Sequence, residues 1–307
     1  MKPNQEQIIF AILITTKNRC DELLFTLDNI RPLISRNDVE CVVFDDGSDD
    51  GTSAMVTQNF PEITLLRNES SKGLIYCRNK MLNTTTAEYS ISLDDDAHFL
   101  SENPLEIIAS HFDKNPNCGV IAFRIFWSKS KPQNSVTNQQ QSQVRGFVGC
   151  GHAWKMSVWN KIQNYPEWFE FYGEEDFAGK QLSKKNYTID YLPEILIQHR
   201  VDLKTRAIRD KDGEIRYRRS LRAGWYLYFL FYPTQKIPRK IAYSFAMQFK
   251  NKIFKGNFKI IIPLFKAVGD VIVHFPRLLR ERNAFTDKEY EQYMALPETK
   301  VYWNPEK

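Results

Sequence analysis

Apolar and polar positions alternate along the N-terminal part of the chain with two different periods. Short runs rich in β-branched residues, bounded by polar residues, predict buried strands. These runs cover residues 8–15, 39–44, 63–67, 89–93, 119–126, 144–148 and 188–198. Apolar positions at helical spacing separate the runs and cover residues 21–34, 52–60, 74–82, 104–112, 157–162 and 175–182. This alternation predicts an α/β fold with a mostly parallel, doubly wound sheet flanked by helices.

The helical pattern at residues 21–34 is the clearest, with apolar residues at positions 23, 24, 27, 30 and 34. Asp21 stands at its start and is a candidate N-cap. By contrast, residues 128–143 are polar and low in complexity, which is typical of a mobile surface loop.

Beyond about residue 205 the pattern changes to aromatic and basic residues. Apolar residues recur at helical spacing between positions 241 and 275, and lysine and arginine residues crowd them. Helices with an apolar and a basic face can lie in a membrane interface, although the same stripes could simply pack on the first part of the chain. We therefore divide the chain into an α/β region, residues 1–205, and a basic, amphipathic helical region, residues 206–307.

Charge follows the same division. The whole chain carries a net charge of +5, but the stretch from Arg200 to Arg282 holds 20 Lys or Arg residues against 6 Asp or Glu residues. The remainder of the chain is therefore acidic. The basic stretch suits an anionic partner, such as a membrane surface, a phosphorylated lipid carrier or nucleic acid.

Cysteine usage and hydropathy indicate the compartment. The five cysteines are scattered and form no CxxC pair, which argues against a disulfide framework or a zinc ribbon and favours a reducing compartment. The apolar run that opens the chain lacks a small-residue cleavage site, so a first strand is favoured over a signal core. No stretch reaches the eighteen or so apolar residues that a transmembrane helix needs. We expect a cytoplasmic protein on the inner face of a membrane.

Acidic residues stand where two predicted strands end. Asp94, Asp95 and Asp96 follow one strand, and Asp94 and Asp96 share a face because side chains alternate along a strand. Asp45 and Asp46 follow another strand. Ligands of doubly wound sheets bind at the carboxyl ends of the strands. A hard divalent cation bound to phosphate oxygens would use such carboxylates, so the pattern predicts a shared nucleotide and metal site, with Thr15 at a third strand end.

At these residues the chain resembles family 2 glycosyltransferases of the GT-A fold, over roughly residues 8 to 200. The matching pieces occur in the family's order: ILITTKNR at 12–19, DDGSDDGT at 45–52, Asn68 with Gly73, Arg78 and Asn79, LDDD at 93–96, Gly149 to Gly151, YGEED at 172–176, and His199. The resemblance implies that residues 1–205 bind a nucleotide-sugar and catalyse sugar transfer. One departure is Lys17, which stands where relatives often have an aromatic residue.

The resemblance also implies a metal site. It makes Asp96 a direct ligand, Asp94 a second ligand or a contact to the ribose, and His199 a third ligand, whose nitrogen favours Mn²⁺ over Mg²⁺. Asp95 belongs to the same motif and is counted with the nucleotide-binding residues. His98 is a competing ligand because Asp96 and His98 form a D-x-H triplet.

Nucleotide contacts are implied for four further residues. Asp46 would accept the imide N–H of a uracil or thymine base, with Thr15 beside it, through a charge-assisted hydrogen bond. Asp45 could bind the nucleotide or cap a helix. Arg78 would contact a phosphate or the donor sugar; the alternative is an exposed helix arginine.

The family motif makes Asp176 the catalytic base for the acceptor hydroxyl, with Glu175 as the second choice. The alternative is that these acids only stabilise a helix N-terminus. Aromatic residues directly precede them and could pack on a sugar face: Tyr165, Trp168, Phe169, Phe171 and Tyr172. His152 and Trp154 could line the same pocket.

The expected function is therefore an inverting, metal-dependent transfer of a sugar from a UDP- or dTDP-sugar to a saccharide or lipid-linked saccharide, in surface polysaccharide or glycan biosynthesis. Two alternatives stay open: a sugar-phosphate nucleotidyltransferase, and a non-catalytic module that binds membrane or nucleic acid. A nucleotidyltransferase would favour a Gly-rich, basic first loop, which the sequence lacks after Thr15. Nucleic acid is not an expected partner, and contact with an anionic membrane through the C-terminal region is.

Overall fold

The computed structural model of this chain describes residues 7–201, 213–300 and 302–304. Within these ranges the chain forms one nine-stranded sheet with helices packed on it, followed by a C-terminal group of helices. The predicted α/β fold with a C-terminal helical appendage is therefore confirmed. The sheet is mixed rather than mostly parallel, since four strand pairings are parallel and four are antiparallel. The predicted boundary between residues 205 and 206 lies outside the described residues.

The strands follow the hydrophobic runs in the sequence. They are β1 (Phe10–Thr16), β2 (Val39–Asp45), β3 (Thr64–Arg67), β4 (Tyr89–Asp94), β5 (Ala97–Phe99), β6 (Cys118–Trp127), β7 (Ser142–Val144), β8 (Gly151–Lys155) and β9 (Thr188–His199). The helices are α1 (Cys20–Ile34), α2 (Thr52–Asn59), α3 (Leu74–Thr84), α4 (Pro104–Lys114), α5 (Met156–Trp159), α6 (Glu174–Lys184), α7 (Gly213–Phe231), α8 (Ile237–Asn251), α9 (Ile261–Arg280) and α10 (Asp287–Ala295).

Strand direction brings the acidic strand ends together. The sheet order is β3-β2-β1-β4-β8-β6-β9-β5, and β7 also pairs with β9. The four neighbouring strands β3, β2, β1 and β4 are parallel to one another, and β8 is antiparallel to both β4 and β6. Since β6 is parallel to β9, the carboxyl ends of β1, β2, β4 and β9 lie along one edge. Thr15 pairs with Asp94 there, and Thr16 pairs with Asp45.

Alternating side chains of the central strands fill two cores. Ile12 and Ile14 of β1 are buried with α1 and α4, and Ala11 and Leu13 are buried on the other face. Because both faces are covered, β1 carries an unbroken apolar run rather than an alternating one. The sheet edge is thereby held rigidly between two packed layers.

Some predicted elements need correction. Helix α1 begins at Cys20, so Asp21 lies in its first turn and is not its N-cap. The strand expected at residues 144–148 lies at Ser142–Val144. Strands β5 and β8 had no clear sequence signal because both are short and mix polar with apolar residues. Residues 128–141 form no helix or strand.

The C-terminal helices pack on the sheet with one face. Tyr226 and Leu230 of α7 and Leu278 of α9 belong to the same buried cluster as Val120 of β6. Arg218 and Arg222 of α7 pair with the buried Asp270 of α9. Among the described residues, no helix is long and apolar enough to cross a membrane.

Candidate active site

A cavity of about 600 Å³ opens at the carboxyl edge of the sheet. Its wall mixes acids and bases from several elements: Thr15, Thr16, Lys17, Arg19, Glu22, Asp46, Ser71, Gly73, Leu74, Asp94, Asp95, Asp96, Lys129, Phe171, His199, Arg200, Val201 and Arg216. Six of the predicted site residues, from four strand ends, thus line one cavity: Thr15, Asp46, Asp94, Asp95, Asp96 and His199. Arg216 shows that the first turn of α7 contributes to the same wall.

Three potential metal ligands converge in this cavity. One oxygen each of Asp94 and Asp96 and a ring nitrogen of His199 lie within 4.8 Å of one another. Nε2 of His199 is 2.9 Å from Asp96 Oδ1 and 3.8 Å from Asp94 Oδ2. Two carboxylate oxygens and one imidazole nitrogen form a donor set suited to Mn²⁺. The residues present therefore fit a divalent cation.

Protonation of this group depends on its mutual contacts. Burial alone would raise the pKa of Asp96, but the hydrogen bond from His199 and the nearby cations lower it. Burial disfavours the charged form of His199, whereas Cys150 and the bond to Asp96 raise its pKa. These shifts favour a protonated His199 beside an ionised Asp96, and Nε2 must lose its proton before it can coordinate a cation.

Asp95 points away from this group. Its carboxylate accepts hydrogen bonds from Thr16 Oγ1 at 2.9 Å and from Arg19 Nε at 2.8 Å, and its carbonyl accepts one from Thr26 Oγ1. Burial raises the pKa of Asp95 to about 7, against the opposing effect of Arg19. Asp95 thus connects the end of β4 to the end of β1 and to the loop that follows β1. It is also one of the residues that line the cavity.

Asp46 faces the cavity with a fully engaged carboxylate. Asn68 Nδ2, Ser71 Oγ and the backbone N–H groups of Lys72 and Gly73 all donate to it, at 2.6–2.9 Å. Burial would raise its pKa, but these donors lower it, so the group is ionised at neutral pH. The Asn68 and Gly73 motif pieces therefore position Asp46. Close by, Thr15 Oγ1 is buried without a hydrogen-bond partner.

Asp45 does not reach the cavity. Its carboxylate is fully buried and accepts from the Ser48 N–H at 2.8 Å and from Arg67 Nη1 at 2.7 Å, and Ser53 Oγ also donates to it. The loop that follows is tight: Gly47 has φ +79°, and a Cβ there would lie 3.2 Å from the backbone nitrogen of Ser71. Asp45 therefore holds the loop after β2; it neither lines the cavity nor caps α2, whose N-cap residue is Gly51.

Arg78 is buried and connects two groups of acids. Nη2 donates to Asp94 Oδ1 at 2.9 Å, and Nη1 donates to Glu174 at 3.2 Å and to Glu175 at 3.4 Å. It is therefore neither an exposed helix arginine nor a residue of the cavity wall. Gly149 makes this contact possible, since a Cβ there would lie 2.1 Å from Glu175 Oε1.

Glu175 and Asp176 point in different directions. Successive helix residues are turned by about 100°, so the two carboxylates project to different sides of α6. Glu175 is turned toward Arg78 and, through it, toward Asp94. Asp176 is 62% exposed at its side chain and pairs with Lys180 at 3.2 Å. Neither carboxylate lines the cavity, but Glu175 is connected to Asp94 through Arg78, whereas Asp176, the first choice from the sequence, is exposed and pairs with Lys180.

The pKa of the Glu175 carboxyl group also lies above the usual value for a glutamate. Burial and the neighbouring Glu174 raise the pKa of Glu175 to about 8, although Arg78 opposes the change. Glu174 is itself buried, and burial raises its pKa. Two adjacent carboxyl groups that share one arginine cannot both ionise without cost. At pH 7 the site therefore retains a proton.

Several other candidates lie elsewhere. His98 is buried, receives a hydrogen bond from Arg200 at 2.8 Å, and does not belong to the group formed by Asp94, Asp96 and His199. His152 and Trp154 are core residues. Of the five aromatic residues before α6, only Phe171 lines the cavity. Tyr165 and Phe169 are buried in the core.

A second potential metal group lies apart from the cavity. His111 Nε2 bonds Asp190 Oδ2 at 2.8 Å, with the thiol of Cys118 nearby. Cys118 begins β6 and Asp190 lies near the start of β9, at the opposite end of the strands from His199. This group is therefore separate from the carboxyl edge.

Sequence reasoning missed three residues of the site. Arg19 bridges Asp95 and Asp96, Thr16 binds Asp95, and Glu174 binds Arg78. Arg19 and Thr16 could have been noticed, because both stand at the same strand end as Thr15. Glu174 could not be separated from its two acidic neighbours by pattern alone.

Comparisons with known proteins agree with this geometry. A sequence model described as "Glycosyl transferase family 2" matches residues 11–175. An "Uncharacterized glycosyltransferase" of Haemophilus influenzae is 28% identical over 113 residues, which is 37% of this chain and 37% of that protein's length. The matched part is thus little more than a third of that relative.

Solved structures share the fold. TarS from S. aureus superposes with a TM-score of 0.60 at 16% identity, covering 89% of this chain and 50% of that chain. A mannosyltransferase from Pyrobaculum calidifontis, solved with GDP-Man and Mn²⁺, gives a TM-score of 0.54 at 16% identity, covering 87% of this chain and 76% of that one. At such identities the likeness concerns the fold.

Proposed function

The chain belongs to glycosyl transferase family 2, and we propose that it is an inverting, divalent-metal-dependent enzyme that moves a sugar from a UDP- or dTDP-sugar to a hydroxyl group. The acceptor is a saccharide or a lipid-linked saccharide, in surface polysaccharide or glycan biosynthesis. The main support is the convergence of Asp94, Asp96 and His199 in a cavity that also contains Thr15 and Asp46.

In this proposal each side of the cavity has one task. Asp94, Asp96 and His199 hold a Mn²⁺ or Mg²⁺ ion, which when bound stabilises the charge that develops on the departing diphosphate. The Thr15 hydroxyl has no hydrogen-bond partner in the structure, so it can donate a hydrogen bond to the nucleotide. Asp46 accepts the imide N–H of the base. The Asp46 carboxylate already accepts four hydrogen bonds. The Ser71 hydroxyl can rotate, so its hydrogen bond to Asp46 is the one that the base replaces.

Glu175 is the proposed base. It takes the proton of the acceptor hydroxyl as that oxygen attacks the anomeric carbon from the side opposite the leaving group, which inverts the configuration. Arg78 holds Glu175 beside Asp94. Phe171 offers the cavity's aromatic surface for a sugar face.

A donor screen tests the function. In thermal unfolding with Mn²⁺, UDP- or dTDP-sugars at about 100 times Kd are expected to raise Tm by several degrees, since such binding contributes about 2.7 kcal/mol. GDP-sugars and nucleotide-sugars with EDTA serve as controls. A metal-independent response to nucleoside triphosphates and sugar phosphates would instead favour a nucleotidyltransferase, and no response to any nucleotide would contradict the proposal. The anomeric configuration of the product, read by NMR, tests inversion.

We also propose that the C-terminal region docks on an anionic membrane at the cytoplasmic face. Six large apolar side chains near and along α9 are 61% to 79% exposed: Phe254, Phe258, Ile262, Phe265, Ile272 and Val273. We call them the outer apolar surface. Exposed lysines lie among them, at positions 255, 259 and 266. Exposed apolar patches flanked by basic residues are typical of membrane-binding surfaces.

Substitutions on this surface test the docking without disturbing the core. Truncation is unsuitable, because α7 and α9 contribute to the buried cluster of the sheet. Phe258→Ser combined with Phe265→Ser is expected to weaken binding to vesicles with anionic lipid at least tenfold, because each phenylalanine contributes about 1.5–3 kcal/mol when buried. Co-sedimentation measures the change.

Val136→Ser is the matched control, since Val136 is 71% exposed but lies far along the chain in the 128–141 segment. Binding of the native chain should also fall with added salt and with neutral lipid. Equal partitioning of the double variant and the native chain would overturn the membrane proposal.

A further inference from the structure

Arg19 lies across the acidic cluster. Its Nε donates to Asp95 Oδ1 at 2.8 Å and its Nη2 to Asp96 Oδ2 at 2.5 Å. The other oxygen of Asp96 bonds His199. Both oxygens of Asp96, the proposed central metal ligand, are therefore in contact with nitrogen atoms of neighbouring side chains. Arg19 is 41% exposed at its side chain and lines the cavity.

A divalent cation at Asp94, Asp96 and His199 would place two positive charges beside this guanidinium. The charges repel each other, and both would compete for the negative charge of Asp96, whose Oδ1 faces His199 and whose Oδ2 is held by Arg19. A diphosphate in the cavity would offset the repulsion between the cation and Arg19, because it carries several negative charges and acceptor oxygens. A guanidinium binds phosphate oxygens in the same forked geometry as carboxylate oxygens.

We propose that Arg19 couples metal binding to diphosphate binding: it opposes the cation alone and favours the cation together with the nucleotide. This inference rests on the proposed nucleotide-sugar function. Arg19 is then a positioning residue: when the donor binds, its guanidinium leaves Asp96 and binds the diphosphate. An empty enzyme then holds little metal, and donor and metal assemble together.

Two other arginines near the cluster, Arg200 and Arg78, cannot make this exchange. Arg200 is tied to Glu22, Thr26 and His98. Arg78 is buried and tied to three acids. Arg19 alone among these three combines a direct bond to Asp96 with a partly exposed side chain. It is the one whose guanidinium can move within the cavity.

The test is a thermodynamic cycle. Binding of Mn²⁺ is measured by EPR without and with UDP, and binding of UDP by calorimetry without and with Mn²⁺, for the native chain and Arg19→Gln. We expect Arg19→Gln to bind Mn²⁺ alone about tenfold more tightly, equivalent to about 1.4 kcal/mol, and to bind UDP more weakly. The factor by which UDP tightens Mn²⁺ binding should fall about tenfold, and by the same factor in the reverse direction.

Two further variants sharpen the cycle. Lys17→Gln removes a positive charge from the same loop and cavity without a contact to Asp96, so it is expected to change Mn²⁺ binding much less. Arg19→Lys keeps the charge but loses the fork, and it should retain part of the coupling.

A purely structural role for Arg19 predicts the opposite sign: Arg19→Gln would then bind both Mn²⁺ and UDP more weakly. That result, or an unchanged coupling factor, overturns the inference. A native chain in which UDP and Mn²⁺ bind independently would instead contradict the proposed function itself. The two failures are therefore distinguishable.

Discussion

Glu175→Gln is expected to lower kcat by about 10²–10⁴-fold while the Kd for UDP with Mn²⁺ stays within a few fold, because a general base contributes about that much to the rate. Glutamine keeps the shape and can still accept the hydrogen bond from Arg78 Nη1. It cannot take a proton from the acceptor. Transfer assays with the donor found by the screen, and calorimetry of UDP binding, measure the two effects.

Asp176→Asn is the matched control for this variant. Its carboxylate is exposed and pairs with Lys180, so turnover within a few fold of the native rate is expected. The reverse result, a dead Asp176→Asn and an active Glu175→Gln, would restore Asp176 as the base. The comparison separates two adjacent acids that differ mainly in direction.

The pH profile gives an independent measure of the same residue. Burial and Glu174 raise the pKa of Glu175 to about 8. A base must be deprotonated to act, so kcat should increase as the pH rises through about 8 and level off above it. In Glu175→Gln this rising limb should disappear from whatever activity remains. A native profile that is flat between pH 6 and 9 would argue against Glu175.

Asp96→Ala is expected to weaken Mn²⁺ binding by about 100-fold or more, and with it the metal-dependent binding of the donor. Even the outer partners of metal ligands contribute about 10–100-fold to affinity, and Asp96 is a central member of the cluster. EPR titration of Mn²⁺ with and without UDP measures the loss. Circular dichroism checks that the variant is folded.

Asp49→Ala removes the same charge from the loop after β2, where Asp49 is exposed. It should leave Mn²⁺ binding nearly unchanged, because an exposed charge outside the cluster is screened by solvent. If the two variants bind Mn²⁺ equally well, Asp96 is not a ligand and the cluster with Asp94 and His199 has another purpose.

The fold and the location of the site could be predicted from the sequence because both depend on short, continuous segments of the chain. The apolar runs that form β1, β2, β4 and β9 are continuous in the chain, and a parallel sheet brings their carboxyl ends to one edge. Thr15, Asp46, Asp94 and Asp96 could therefore be grouped without coordinates, and the resemblance to the family added His199. The short strands β5 and β8 were missed because they depend on neighbouring strands rather than on their own residues.

The sequence by itself thus determined the fold and the acidic sheet edge, because these follow from hydrophobic period and strand direction, and the resemblance to the family added His199 as a proposed ligand. Only the tertiary structure decided which of Glu175 and Asp176 faces Asp94, that Arg19 holds Asp95 and Asp96, and which face of α9 is exposed. Each of those depends on side-chain direction and on contacts between distant residues, such as Arg19 with Asp96 and Arg78 with Glu175. A local pattern contains neither kind of information.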